Sequence, residues 1–248
     1  MPGADRPLLG QEGGPRQAGS ARTPRRVWLS WSSGKDSAAA LALLRARPDV
    51  EVARLLVSFN AEAGRVAMHA VRRELVQAQA DRLGLAVHAV ELPSPCPNEV
   101  YERLMSDALS AAIEDGATDV AFGDLFLEDV RAYRENAMAG TGLGTLFPLW
   151  GRPTADLARE MVESGVRAVV TCVDTRQLDR RFAGRRFDHP FLDELPPHVD
   201  PCGERGEFHT FVYDGPGFAD PLDVSVGEIL ERDGFCFADV LGGQADRP

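Results

Sequence analysis

A doubly wound parallel α/β sheet followed by a smaller α+β unit is the fold that this 248-residue sequence predicts. Three observations carry the expectation. Short apolar runs alternate with amphipathic, Ala- and Leu-rich stretches from Arg26 to about residue 150. Those stretches stop at glycines, Gly84 and Gly116 among them. Beyond Gly151 the alternation gives way to irregular segments and isolated strand-like runs. Regular alternation of strand and helix argues for parallel strands joined by crossover helices. With 44% hydrophobic residues the chain can bury a sizeable core, in one large or two modest domains.

Each element has its own signal. "RVWLSW" (Arg26 to Trp31) is a short apolar strand, "SSGKDS" a small polar loop, and "AAALALLRA" a helix. "EVARLLVSFN" (Glu51 to Asn60) reads as a second buried strand, and "AMHAVRRELVQAQADRLG" as an amphipathic helix closed by Gly84. "AVHAVEL" (Ala86 to Leu92) is a third strand, followed by a helix from Asn98 to Gly116. A fourth strand is expected over Thr118 to Asp124 and a helix over Glu128 to Ala139. "TLFPLW", within the punctuated stretch Ala139 to Thr154, supplies a short fifth strand. The glycines there are spaced G-x-G-x-G and follow a helix, which is not a dinucleotide fingerprint. Thr154 is expected to cap a helix ending at Gly165, with "RAVVTCVD" a strand after it. Asp179 to Pro197 is irregular, and "FHTFVYD" alternates like a strand. The expected division is a disordered tail over 1–25, a first domain over 26–150 and a second over 151–243. No internal repeat is visible.

Composition narrows the function. Net charge is −11 and the sequence pI is about 5.0, which disfavours broad attraction to nucleic acid or to anionic membrane. No apolar run approaches the ~20 residues of a membrane span. The tail lacks the apolar core of a secretory signal. Cysteines 96, 172, 202 and 236 are far apart, without C-x-x-C, so a reducing cytoplasm is the expected location.

Of the 27 Lys and Arg residues, Lys35 alone is lysine. Arginine and lysine are interchangeable on a solvated surface but not where a compact ammonium meets an oxyanion in a tight turn. Strand, small polar loop and helix start form such a place, because free amides and the helix dipole converge there. Gly34 permits close backbone approach, and Ser32, Ser33 and Ser37 add hydroxyls. Helix capping by Asp36 or Ser37 would explain one residue, not the whole set. The Walker pattern is absent, since Leu29 stands where its first glycine would be. Ligands of such sheets sit at the carboxyl ends of strands. That rule adds Phe59, Asn60, Gly123 and Asp124 to the crevice.

A second constellation lies in "VDPCGERGEFHTFVYDGP" (Val199 to Pro216). Glu204 and Glu207 flank Gly206 in a loop, with His209 close behind. Two carboxylates and an imidazole can bind magnesium, orient an amine or take up a proton. An acidic turn before a strand explains them equally well. Cys202 with His209 is at most half a zinc site.

"SWSSGKDS" resembles the S-G-G-x-D-S pyrophosphate loop of N-type ATP pyrophosphatases, with Ser33 in place of the first glycine. Serine suits that position if it needs no positive φ. Together with "FGDLFLEDVRAYRE", "LFPLWGRPT" and "CGERGEFHTFVYDGP", it makes the sequence similar to the diphthine–ammonia ligase family and its bacterial adenine nucleotide alpha hydrolase-like members, from about Val27 to Leu241. The resemblance implies a five-stranded HUP-type nucleotide-binding domain with a distinctive C-terminal domain. It implies ATP-dependent adenylation of a carboxylate, which ammonia converts to an amide with release of AMP and pyrophosphate. On that reading Ser32 to Ser37 hold the pyrophosphate portion of ATP, and Phe59 and Asn60 lie near the adenosine. Gly123 and Asp124 lie beside the α-phosphate, while Glu204, Glu207 and His209 close the site. Lys35, Asp124, Glu204 and Glu207 are the expected catalytic set. Arg131 and Arg134 face phosphates or substrate, or else belong to a surface row with Glu128 and Glu135. Mg²⁺ is expected with ATP, on Asp36 and Asp124. The partners are a small-molecule or protein carboxylate and ammonia. Diphthine, a modified histidine of elongation factor 2, is the family's acceptor; a bacterial chain would need another, as in cofactor salvage. Two other functions stay open: a nucleotide sensor without turnover, and a pyrophosphatase that modifies nucleic acid. Oligomeric state is not legible, and a homodimer is compatible with everything above.

Overall fold

The computed structural model describes residues 24–66 and 70–243. Most of the expected tail therefore lies outside the described residues. The first half builds strands β1 (Arg25–Ser30), β2 (Val50–Asn60), β3 (Arg65–Val66), β4 (Ala86–Leu92), β5 (Asp119–Ala121) and β6 (Gly144–Leu146). Between them run helices α1 (Lys35–Arg45), α2 (Arg73–Leu83), α3 (Asn98–Glu114) and α4 (Glu128–Met138). Five strands are parallel, in the order β4-β2-β1-β5-β6. Strand order reverses at β1, so the switch point lies between β1 and β5. The two-residue β3 is added antiparallel to Phe59 and Asn60, where β2 outruns β1.

The period of two along β1 explains the double winding. Val27, Leu29 and Trp31 point into one core with α1 and α2, whereas Trp28 points into the other with α3 and Met138 of α4. Leu41 and Leu44 of α1 and Val76 and Leu83 of α2 fill the first core, and Leu109 and Ala112 of α3 the second. Each such aliphatic side chain contributes ~1.5–3 kcal/mol through burial.

The remainder is α+β, as expected. Helix α5 (Thr154–Glu163) leads into β7 (Arg167–Asp174), a 3-10 turn at Arg180–Phe182, β8 (Arg186–Phe187), α6 (His189–Glu194), β9 (Phe208–Asp214), β10 (Val224–Arg232) and β11 (Phe235–Gly242). These strands form an antiparallel sheet ordered β10-β11-β7-β8, with β9 on the other side of β7. Its apolar residues, among them Val170, Phe208 and Phe211, join the same buried cluster as β1 and α1.

Several boundaries differ from the sequence reading. Helix α2 starts at Arg73, because Ala70 takes φ 55 and Arg72 is still extended. The fourth strand stops at Ala121, and "TLFPLW" yields strand only over Gly144–Leu146. Pro153, not Thr154, occupies the cap of α5, and no side-chain cap bond forms there. The β10–β11 hairpin was not anticipated; its turn is Asp233-Gly234, with φ 54 and 81. Among the described residues no helix is long and apolar enough to cross a membrane.

Candidate active site

The carboxyl ends of β1 and β5 open on a crevice of about 240 Å³ whose far wall belongs to the second sheet. Ser32, Lys35, Asp36 and Ser37 line it from the loop after β1 and the first turn of α1. Gly123 and Asp124 line it from just past β5, Arg134 from α4, Glu204 from the turn before β9 and His209 from β9 itself. Nine residues singled out in the sequence thus share one cavity.

The loop after β1 is tightly held. Ser33 is fully buried with φ 67, so the position does demand the left-handed region, contrary to expectation. Its carbonyl accepts the Val212 N–H of β9 at 2.9 Å and Gln79 Nε2 at 3.0 Å. Gln79 itself is buried, takes the Trp31 indole N–H on Oε1 at 2.9 Å and donates also to the Val212 carbonyl at 2.6 Å. One glutamine of α2 therefore ties β1, the loop and β9 together. The Lys35 N–H donates to Thr210 Oγ1 at 3.1 Å, and Ser37 Oγ donates back to the Gly34 carbonyl at 2.9 Å. Gly123 faces this turn so closely that an added Cβ would lie 3.1 Å from the Asp36 carbonyl carbon and 3.2 Å from the Ser37 nitrogen. Glycine lets the chain after β5 close on α1 without pushing that backbone aside.

The charges of the crevice are mutually dependent. Lys35 is 1% exposed, with its ammonium 2.9 Å from Asp36 Oδ2 and hydrogen-bonded to the Cys202 carbonyl. Burial works against that cation, but its neighbours, Asp36 first, more than offset it and hold the pKa above the ordinary lysine value. Burial pushes the Asp36 carboxyl up against the pull of Lys35, and likewise Asp124 against the pull of Arg134. Glu204 Oε1 accepts the Leu125 N–H at 2.8 Å. Burial is the main cause that raises Glu204 to about 7, with Asp36 and Asp124 adding to it. Burial, reinforced by the Lys35 cation, lowers His209 to about 4, so its imidazole is neutral at pH 7. Asp36 Oδ1 and Asp124 Oδ2 are buried without a hydrogen-bond partner.

Other residues of the sequence reading fall elsewhere. Phe59 is core, under the Arg73 guanidinium at 4.0 Å. The Asn60 carboxamide accepts the Ala63 N–H at 2.8 Å and lines a neighbouring apolar chamber of about 270 Å³, with Phe235, Phe237 and the shared His209. Ser33 and Gly34 shape the loop without lining the cavity. Glu207 is 1% exposed and organises its own loop, accepting the Asp200 and Arg205 N–H groups, each at 2.9 Å. Arg131 pairs with Glu135 at 2.8 Å and lies over Trp150, which matches the surface-row reading. Arg134 lies 3.6 Å from Asp124. The sequence reading passed over Gln79, Thr210 and the Cys202 carbonyl. A glutamine on the apolar face of α2 was the available signal for the first.

Comparison with known families agrees with this anatomy. A diphthamide synthase N-terminal domain model matches residues 25–143, and a diphthamide synthase C-terminal domain model matches residues 153–240. The chain belongs to the diphthine–ammonia ligase family. Among its curated relatives, the diphthine–ammonia ligase of Homo sapiens is 28% identical over 162 residues, covering 63% of this chain and 61% of that protein. The Mus musculus protein of the same name is 32% identical over 162 residues, with the same coverage. That of Schizosaccharomyces pombe is 29% identical over 136 residues, 52% of this chain and 22% of the yeast protein. The chain thus spans about three fifths of the mammalian relatives it matches.

Proposed function

We propose that the protein is an ATP-dependent ligase that adenylates a carboxylate and converts it to an amide with ammonia. The observation that carries this reading is the meeting of two halves in one crevice: the anion-binding turn of α1 and the Glu204 carboxylate of the second sheet. A sensor that only holds a nucleotide has no use for the second half.

The first turn of α1 beyond Lys35, whose N–H is taken by Thr210, together with the hydroxyls of Ser32 and Ser37, suits the β and γ phosphates. The buried Lys35 charge is balanced by Asp36 and the Cys202 carbonyl behind the turn. The α-phosphorus then faces Asp124, and the adenosine extends past His209 toward the chamber at Asn60. The acceptor carboxylate attacks the α-phosphorus, and pyrophosphate leaves. Ammonia attacks the resulting mixed anhydride at its carbonyl carbon, and AMP leaves. Catalysis is mainly positioning and charge neutralisation around an in-line displacement. Glu204, ionised above about pH 7, accepts a proton from the attacking nitrogen, and from water where water takes the place of the carboxylate.

Mg²⁺ fits the residues present, because the carboxylates of Asp36 and Asp124 both line the crevice and each keeps one oxygen without a hydrogen bond, the Asp124 oxygen 3.6 Å from Arg134. Among the described residues no set of three or more His, Cys, Asp or Glu forms a cage, which is usual for an ion held largely by phosphates. Bound there, it would neutralise phosphate charge. The free thiols of Cys96, Cys172, Cys202 and Cys236 are consistent with a reaction in the cytoplasm.

The test is amide formation. Purified protein is incubated with ATP, Mg²⁺, ammonium chloride and either diphthine-bearing elongation factor 2 or a panel of cellular carboxylates. Mass spectrometry should find an acceptor in which hydroxyl has become amide, with AMP in equal amount. ATP bound unchanged, with no acceptor modified, would favour the sensor.

A further inference from the structure

The ammonium of Lys35 reaches the turn that precedes β9. Two of its three protons go to Asp36 Oδ2, at 2.9 Å, and to the backbone carbonyl of Cys202. The rings of Phe208 and Phe187 stand 5.2 and 5.6 Å from Nζ. The fit suits a compact ammonium and leaves little room for a guanidinium. A phosphate would compete for this charge with a carbonyl and a carboxylate that are already in place.

What the Cys202 carbonyl does next is visible along the chain. Gly203 follows with φ 68, packed so that a Cβ would lie 2.7 Å from the Phe208 carbonyl oxygen, and then comes Glu204. The Glu204 N–H donates to Asp200 Oδ2 at 2.9 Å, while its carboxylate crosses to the Leu125 N–H at 2.8 Å and the Phe126 N–H at 3.4 Å. The turn therefore meets the first half of the molecule at two points: Lys35 under Cys202, and the Glu204 carboxylate at the end of β5. A glycine between them offers no side-chain resistance to rotation.

We infer that Lys35 is a positioning residue for Glu204: acting through the Cys202 carbonyl, it holds the second-sheet turn against the loop of α1, and it does not grip the nucleotide. The inference rests on the proposed ligase reading, in which Glu204 is catalytic. It assigns the solitary lysine a different task from the one its sequence context suggests. A base must stand within hydrogen-bond reach of the proton it accepts, so a rotation of the Cys202–Gly203 peptide would cost turnover without disturbing the phosphate site.

A double-mutant cycle tests this. Lys35→Met, Glu204→Gln and the double variant are compared with wild type for ATP affinity by calorimetry and for AMP formation from ATP and Mg²⁺, with water as nucleophile. Lys35→Met should bind ATP within about threefold of wild type and form AMP at least tenfold more slowly. In the Glu204→Gln background the same substitution should cost less than about twofold, since residues that act as a unit are not additive. A lysine that merely supports the fold would multiply its effect in both backgrounds. Where Lys35→Met lowers the folded fraction, rates are expressed per ATP-binding site, counted from the calorimetric stoichiometry, so that the cycle still reads the folded protein. A loss of ATP affinity of tenfold or more, or full multiplication in the double variant, overturns the inference. Wild type that forms no AMP either with water or with the acceptors and ammonia of the preceding test overturns the ligase reading itself, which keeps the two failures distinct.

Discussion

Glu204 and Leu125 are 79 positions apart, yet the Glu204 carboxylate accepts the Leu125 N–H at 2.8 Å, across the space between the two sheets. Burial beside Asp36 and Asp124 raises this carboxyl to about 7, well above the ordinary glutamate range. The crevice also holds the cations Lys35 and Arg134 and the neutral imidazole of His209.

Two pH trends of opposite sign follow from that raised value. As the proton acceptor Glu204 must be ionised, so turnover measured at a fixed concentration of unprotonated ammonia should climb with pH and level off above about 7. Stability runs the other way. Between the ordinary glutamate value and about 7 the folded state holds more protons than the unfolded one, so stability falls as pH rises through that window. Melting curves of wild type and Glu204→Gln from pH 4.5 to 7.5 should diverge, with wild type losing ground toward the alkaline end. Parallel curves would mean that Glu204 titrates normally.

Ser33 sets a second expectation. A left-handed non-glycine residue costs roughly 1–3 kcal/mol, and the Ser33 Oγ is buried without a partner. Ser33→Gly removes both penalties while adding roughly 0.5–1 kcal/mol of unfolded-chain entropy. The net should be stabilisation by about 1 kcal/mol, or a melting temperature ~2–4 °C higher. A lower melting temperature would show that the serine hydroxyl is needed where it sits.

Glu207 separates from its neighbour Glu204. Its two oxygens each take one backbone N–H, from Asp200 and Arg205. Glu207→Gln sets an amide donor against one of those N–H groups, which should destabilise the protein by ~1–3 kcal/mol. ATP affinity should change by less than about tenfold, since the residue lies outside the phosphate turn. Lost turnover at an unchanged melting temperature would instead make Glu207 a direct participant.

How legible this was depended on the range of the interactions. Strands such as Ala86–Leu92, Arg167–Asp174 and Phe208–Asp214 announced themselves through local patterning, and their bounds match the sequence reading. The loop at Ser32–Ser37 was legible because small residues, a helix start and a solitary lysine coincide. What the lysine touches was not legible, because Cys202 lies 167 positions away. Phe59 and Asn60 stand at a strand end, as the crevice rule requires. Burial of one and a local turn bond of the other depend on neighbours that the strand pattern does not name. The β10–β11 hairpin was there to be read in Asp233-Gly234 between apolar runs, a turn whose two left-handed residues fit a two-residue connection.

The central claim is that the turn at Ser32–Ser37 presents the α-phosphorus of ATP, not the γ-phosphorus, to attack. Incubation with ATP and Mg²⁺ in ¹⁸O-labelled water lets water stand in for the carboxylate, and ³¹P resonance reads where the label lands. The account predicts AMP and pyrophosphate, with the solvent oxygen on AMP. ADP and phosphate, or label carried by pyrophosphate, would contradict it.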